Sequence, residues 1–314
     1  MKRMMTPEQA RVGALSRFAI AITILNLLGH SILGFEISVV QALVCVATGY
    51  SAEISLEAVG AWSENRRPRF VGSGFKGFVV FLLPAHITSL ATSMFLYAGD
   101  RLLPFVFAVL VAITSKAIFT VKTAGQSRHF LNPSNTGLVA TFALFPTVGM
   151  IPYQFTEALH GYLDWVLPAL IVCTGTFLNA RFTKKIPLIT AWLSAFILQA
   201  VIRHTLFSTV LLASLAPITG VAFLLFTFYM ITDPQTSPST VRGQTIFGCS
   251  IGAVYGLSMI FHIVYTIFGA LFFVCIGRGI VIYACELTPV RNAQIFAWRL
   301  WLTFLGRLVS PTTH

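Results

Sequence analysis

The chain has 314 residues, 56% of them hydrophobic and only 10% charged, with a mean hydropathy of +0.82. A soluble domain is about a quarter charged, so this chain cannot cover itself in polar surface, and part of its solvent must be lipid. Its net charge of +11 is set between apolar runs rather than gathered in one patch, which points away from nucleic acid and toward anionic head groups.

At the amino end, Thr6-Pro7-Glu8-Gln9 reads as a helix start: Thr6 caps, Pro7 suits the first turn and Gln9 reaches back. Residues 1–16 are expected to form a cytoplasmic surface helix, with no signal-peptide cleavage pattern. A spanning helix needs about 20 mostly apolar residues. Ten segments are taken as spans: 17–35, 38–60, 74–97, 102–122, 136–152, 162–180, 186–203, 208–231, 244–261 and 263–285. Together they make one transmembrane domain, 17–285, in an all-α polytopic fold. Ten spans also suit two inverted five-helix halves, although no sequence echo between halves is apparent. Beyond them, 286–314 reads as an amphipathic tail: Ile295, Trp298, Leu302 and Leu305 share one face, and Arg291, Arg299 and Arg307 another.

Basic residues concentrate in every second loop. Arg66, Arg67, Arg69 and Lys76 follow the second span, Lys122 and Arg128 the fourth, Arg181, Lys184 and Lys185 the sixth, and Arg242 the eighth. The pattern predicts both termini on the cytoplasmic side of a bacterial-type inner membrane. The five cysteines form no CxxC pair and sit in apolar runs, so neither disulfides nor a metal site is expected. No soluble-enzyme signature is expected either, which sets hydrolase, kinase and nicotinamide-binding functions aside.

Two of the basic loops are rich in hydrogen-bonding side chains. In the stretch from Lys122 to Gly137, Asn132-Pro133 resists helix at Asn132, Ser134 or Asn135 can cap the next helix, and Gly137 permits close approach. From Met230 to Gly243, Asp233-Pro234 stops one span, and Arg242-Gly243 stands at the mouth of the next. Two such loops entering helix N-termini on one face suit a phosphate or a polar heterocycle, with capping alone as the alternative. Glu53 and Glu57, four apart on one helix face, form a candidate ion path, unless both pair with loop arginines. Lys116, inside the fourth span, either snorkels or stands beside a bound anion.

At these loops the sequence resembles a known family. Arg128-His-Phe-Leu-Asn-Pro-Ser-Asn-Thr-Gly137 resembles the Asn-Pro loop of the RnfD component of Rnf electron-transport complexes and of its NqrB counterpart in sodium-pumping quinone reductase. Phe228-Tyr-Met-Ile-Thr-Asp-Pro234, closing with Arg242-Gly243 and Ile246-Phe-Gly248, resembles that family's Thr-Asp-Pro loop. Within the family the chain looks most similar to the stand-alone members called enediyne biosynthesis protein UnbU. The resemblance implies a ten-helix fold, electron transport with partner subunits, and flavin as riboflavin or FMN. The family's covalent FMN sits on a threonine in a Ser-x-Ala-Thr type motif. This sequence has none near Thr205 or Thr209, so a noncovalent flavin is the expectation. By position, Arg128, Asn132, Pro133, Asn135, Gly137, Asp233, Pro234, Arg242 and Gly243 become the cofactor site. A transporter or channel for a small solute is the alternative function.

Overall fold

The computed structural model describes residues 7–123, 126–150, 160–263 and 266–287. The tail beyond 287 and the capping residue Thr6 lie outside the described residues. Helices dominate, as an all-α membrane protein requires, because backbone polar groups in hydrocarbon must satisfy themselves. They are α1 (Pro7–Leu28), α2 (Val39–Ser63), α3 (Gly74–Phe95), α4 (Leu103–Ile118), α5 (Pro133–Leu144), α6 (Val166–Leu178), α7 (Ile186–Phe207), α8 (Leu211–Leu215), α9 (Val221–Leu225), α10 (Val241–Ile260) and α11 (Thr266–Leu287). The strands are short: β1 (Leu96–Tyr97) pairs antiparallel with β4 (Gly149–Met150), and β2 (Thr120–Thr123) with β3 (Gln126–His129).

Seven helices among the described residues are long and apolar enough to span, or eight if one bent pair is a single span. Of the ten expected segments, the fourth and fifth are the two that fall short of that length. Leu211–Thr219 and Val221–Met230 meet at 68°, where Pro217 and Gly220 interrupt the helical ladder. The fourth expected span shortens to the 16 residues of α4, because the chain leaves at Phe119 into the β2–β3 hairpin. The fifth shortens to the 12 residues of α5, started by Pro133 and stopped ahead of Pro146 by extended Phe145. Twelve residues rise only about 18 Å, against roughly 30 Å of hydrocarbon.

The two halves repeat one neighbour order. α1 packs on α3, α2 on α3 and α4, and α4 on α5; likewise α6 packs on α9, α7 on α8 and α10, and α10 on α11. Their first helices also end alike. α1 runs into a π turn, Gly29–Leu33, closed by left-handed Gly34, and α6 into a π turn, Asn179–Thr183, closed by left-handed Lys184. In both, the closing N–H returns to the first carbonyl of the turn. No sequence echo announces this, because π turns and caps tolerate very different residues.

The second half centres on Trp192, fully buried among Phe196, Phe223, Phe226 and Tyr255, with its Nε1 donating to Thr227 Oγ1 at 3.0 Å. α10 lies against α7 along Gly248, Gly252 and Gly256. A Cβ at Gly248 would stand 2.7 Å from Leu188 O, and one at Gly256 2.8 Å from Gln199 Cβ. This small-residue spacing of four permits close helix packing in lipid.

Candidate functional site

The Asn-Pro loop is built as a helix start. Asn132 is extended (φ −68°, ψ 122°), and its Oδ1 accepts from Asn135 N at 3.1 Å and Ser134 Oγ at 3.0 Å. The next residue, Pro133, needs no N–H partner in the first turn. Asn132 Nδ2 donates to Met230 O at 3.3 Å, and Asn135 Nδ2 to Phe268 O at 3.0 Å. Both amides therefore tie α5 to the second half. A Cβ on Gly137 would overlap Ala108 O and stand 3.0 Å from Ala112 Cβ, so α5 crosses α4 at glycine distance.

The Asp-Pro loop folds on itself and is then clamped. Asp233 accepts from Gln235 N at 3.2 Å and Thr236 Oγ1 at 3.0 Å. Two cationic side chains close over its carbonyls: Arg278 Nη1 donates to Thr236 O at 2.7 Å, and Lys185 Nζ to Pro238 O at 2.6 Å. Thr240 caps α10 by accepting from Gly243 N at 3.2 Å. Gln244 Nε2 reaches Lys184 O and Ser239 O, whereas its Oε1 is buried without a partner. Burial lowers the proton affinity of Lys185, partly offset by the negative charge of Asp233.

A charged cluster joins the two loops. Lys116 Nζ on α4 donates to Glu53 Oε2 on α2 at 3.2 Å, and both side chains are largely buried. Asp233 adds to the field at Lys116. His129, at the end of β3, lies in the combined field of Asp233, Lys116 and Glu53, and burial pushes its pKa below the usual imidazole value. Glu57 takes no part. Its carboxylate pairs with Arg66 at 2.5 Å and Arg69 at 2.7 Å, whereas Glu53 pairs with Lys116.

Of the nine positions nominated by sequence, Asn132, Pro133, Gly137 and Gly243 serve caps and close packing. Asn135 and Asp233 face the junction, and Arg128, Pro234 and Arg242 lie exposed at its rim. The sequence reading did not nominate His129, Lys185, Gln244 or Arg278. His129 sits inside the matched Asn-Pro stretch, and Gln244 lies four residues after the cap, a signal that was available. Two soluble-enzyme spacings do occur, contrary to expectation, and both lack their structural context. Gly72-Ser-Gly-Phe-Lys-Gly77 opens α3 with no strand before it, and Gly248-Cys-Ser-Ile-Gly252 lies within α10. Ser250 of the latter is bonded back to Ile246 O at 2.8 Å.

The polar edge of a flavin alternates carbonyl acceptors with an N–H donor. Asn135 Oδ1 on α5 and Gln244 Oε1 on α10 are buried acceptors without partners, and Lys116 and His129 are donors. By type these groups match the two kinds of position on that edge. A groove of about 540 Å³ between α2 and α4, lined by residues such as Thr48, Ser51 and Thr114, contains none of these side chains.

Residues 149–277 match the model of the NQR2, RnfD, RnfE family. The matched stretch contains the Asp-Pro loop and ends short of Arg278; the Asn-Pro loop precedes it. No curated protein sequence matches the chain.

Proposed function

We propose that this chain, whose residues 149–277 match the model of the NQR2, RnfD, RnfE family, is a membrane electron-transport subunit of that kind, holding a noncovalent flavin where its two polar loops meet. The observation that supports this reading is the buried Glu53–Lys116 pair with His129 and Asp233 in its field, where the Asn132–Met230 bond joins the two loops; Asn135 Oδ1 on α5 and Gln244 Oε1 on α10 are two further buried acceptors without partners. A buried acceptor without a donor costs roughly 1–3 kcal/mol, and a ligand N–H removes that cost. Lys116 supplies positive charge and His129 a neutral ring that exchanges protons. Apolar helix walls keep water out. The flavin, when bound, supplies the electron chemistry. Rim residues Arg128 and Arg242 face the side from which a partner protein would deliver electrons, which this reading places in the cytoplasm, with the protein in the inner membrane. The same chemistry would serve a stand-alone biosynthetic role as well as a complex.

The test is purification in mild detergent, an absorption spectrum, and the mass of any released flavin. Wild type is expected to be yellow. Asn135→Ala and Gln244→Ala are expected to lower flavin content about tenfold while the protein stays monodisperse. A colourless wild-type protein sinks the proposal.

One observation favours a second reading, a solute transporter. α3 runs unbroken through Pro84, but its counterpart α8–α9 is broken by 68°. Broken helices of this kind line transport sites in other folds. Solute flux through liposomes containing colourless protein would select this reading.

A further inference from the structure

A second polar constellation lies away from the loops, in the middle of the first half. Thr23, Tyr50 and His86 stand near the midpoints of the apolar spans Leu15–Leu33, Val39–Ser63 and Gly74–Phe95. His86 Nε2 lies 2.8 Å from Thr23 Oγ1, and His86 Nδ1 lies 2.8 Å from Tyr50 Oη. Thr23 Oγ1 also donates to Ala19 O at 2.7 Å. The threonine has one proton and gives it to the backbone, so toward His86 it accepts. That fixes the proton of the neutral ring on Nε2. Nδ1 is then the acceptor and Tyr50 the donor. The chain of donors runs one way, from α2 through α3 to α1.

Among the described residues, no charge pairs with this ring. Of the elements packed on α3, α1 offers Thr23, with Arg17 almost two turns away; α2 offers Tyr50, with Glu53 one turn on and Glu57 a further turn; α4 offers Lys116, already paired with Glu53; and α5 carries no charged residue. Polar groups continue along the α2–α3 seam. A Cβ on Gly49 would overlap Ser89 Oγ, which is buried and without a partner. Thus Ser89, His86 with Tyr50, and Glu53 follow one another at one-turn steps. The helix bearing His86 carries Pro84 two residues earlier, whose carbonyl accepts from Thr88 Oγ1 at 2.8 Å. An ionisable side chain at this depth is costly in lipid and marks function by default.

We propose that Thr23, Tyr50 and His86 form a proton-binding site at the middle of the membrane. Uptake of one proton at His86 Nδ1 turns that nitrogen from acceptor into donor. The hydroxyl hydrogen of Tyr50 must then swing away so that its oxygen accepts, and the phenol stays neutral. The ligand is the proton alone, and no redox step is involved. The site therefore stands whether or not a flavin binds at the loops.

The test is NMR of the full chain, histidine- and tyrosine-labelled, in lipid nanodiscs, with the His86 signals assigned by their loss in His86→Gln. The neutral ring is expected to carry its proton on Nε2. It is expected to convert to imidazolium on acidification between about pH 8 and pH 5, with the Tyr50 signal shifting at the same midpoint. Tyr50→Phe removes a bond that is stronger to the charged ring than to the neutral one, so proton affinity should fall about tenfold. Size-exclusion profiles confirm that each variant is folded. A ring that stays neutral throughout while the protein stays folded, or a midpoint unmoved by Tyr50→Phe, overturns the proposal and leaves an interhelical tie.

Discussion

Gly137→Ala is the most direct perturbation of the junction. A Cβ at 137 would overlap Ala108 O and meet the Ala108 carbonyl carbon at 3.1 Å and Ala112 Cβ at 3.0 Å. Backbone cannot swing aside as a flexible side chain does, so α5 must lift from α4 by about an ångström. Overpacking of that kind costs typically about 1–3 kcal/mol. The lift also pulls on the Asn132–Met230 and Asn135–Phe268 bonds, at 3.3 and 3.0 Å, which have little length to give. The expected result is a fall of several degrees in melting temperature, read by size-exclusion thermostability in detergent. Gly277→Ala on α11 is the control. Nothing lies within 4 Å of its added Cβ, and a helical Gly→Ala change there should be neutral or stabilise by up to about 1 kcal/mol. If Gly137→Ala melts with wild type, α5 does not cross α4 as described, and the geometry of the junction fails with it.

Other expectations follow from the same contacts. His129→Gln should flatten the acid side of the stability profile. The folded ring binds a proton less readily than the unfolded one; both are neutral well above about pH 6.5, and stability is lost as pH falls below that value because the unfolded chain protonates first. Melts between about pH 8 and pH 5 read this, and a parallel loss in the variant refutes it. Glu57→Gln weakens the pairs to Arg66 and Arg69 and should make the loop from 64 to 73 more sensitive to protease. Asn179→Ala removes 2.8 Å bonds to Gly175 O and Phe228 O from a buried site, a loss of about 1–3 kcal/mol; an unchanged melting temperature would contradict that.

How far the fold was legible depended on which physics was local. Long apolar runs identify spans, since lipid demands about 20 apolar residues whatever surrounds them. The fourth and fifth spans misled because apolar sequence continues past the helix: Phe119 joins a hairpin, and Phe145 is forced extended by Pro146. A cap at each loop was readable because capping reaches only three residues, but the α5 cap is Asn132 and not the expected Ser134 or Asn135, since Pro133 itself takes the first helical position. The partners of Asn132 and Asn135 across the junction were not readable, since Met230 and Phe268 offer carbonyls, and every residue has one. Glu53 and Glu57 looked equivalent by periodicity. Only the placement of Lys116 on α4 and the arginines of the 64–73 loop separates them. His86 attracted no notice because a histidine in an apolar run has no meaning until its neighbours on other helices are known.

The shortness of α5 bears on how the protein is made. Twelve residues, four of them the polar sequence Pro133-Ser-Asn-Thr136, give the insertion machinery a weak signal compared with the full spans on either side. The contacts that tie this segment to Met230 and Phe268 are synthesised 98 and 133 residues later. The first half must therefore emerge from the ribosome with α5 held by α3 and α4 alone, and its ties to the second half close only when the last helices arrive.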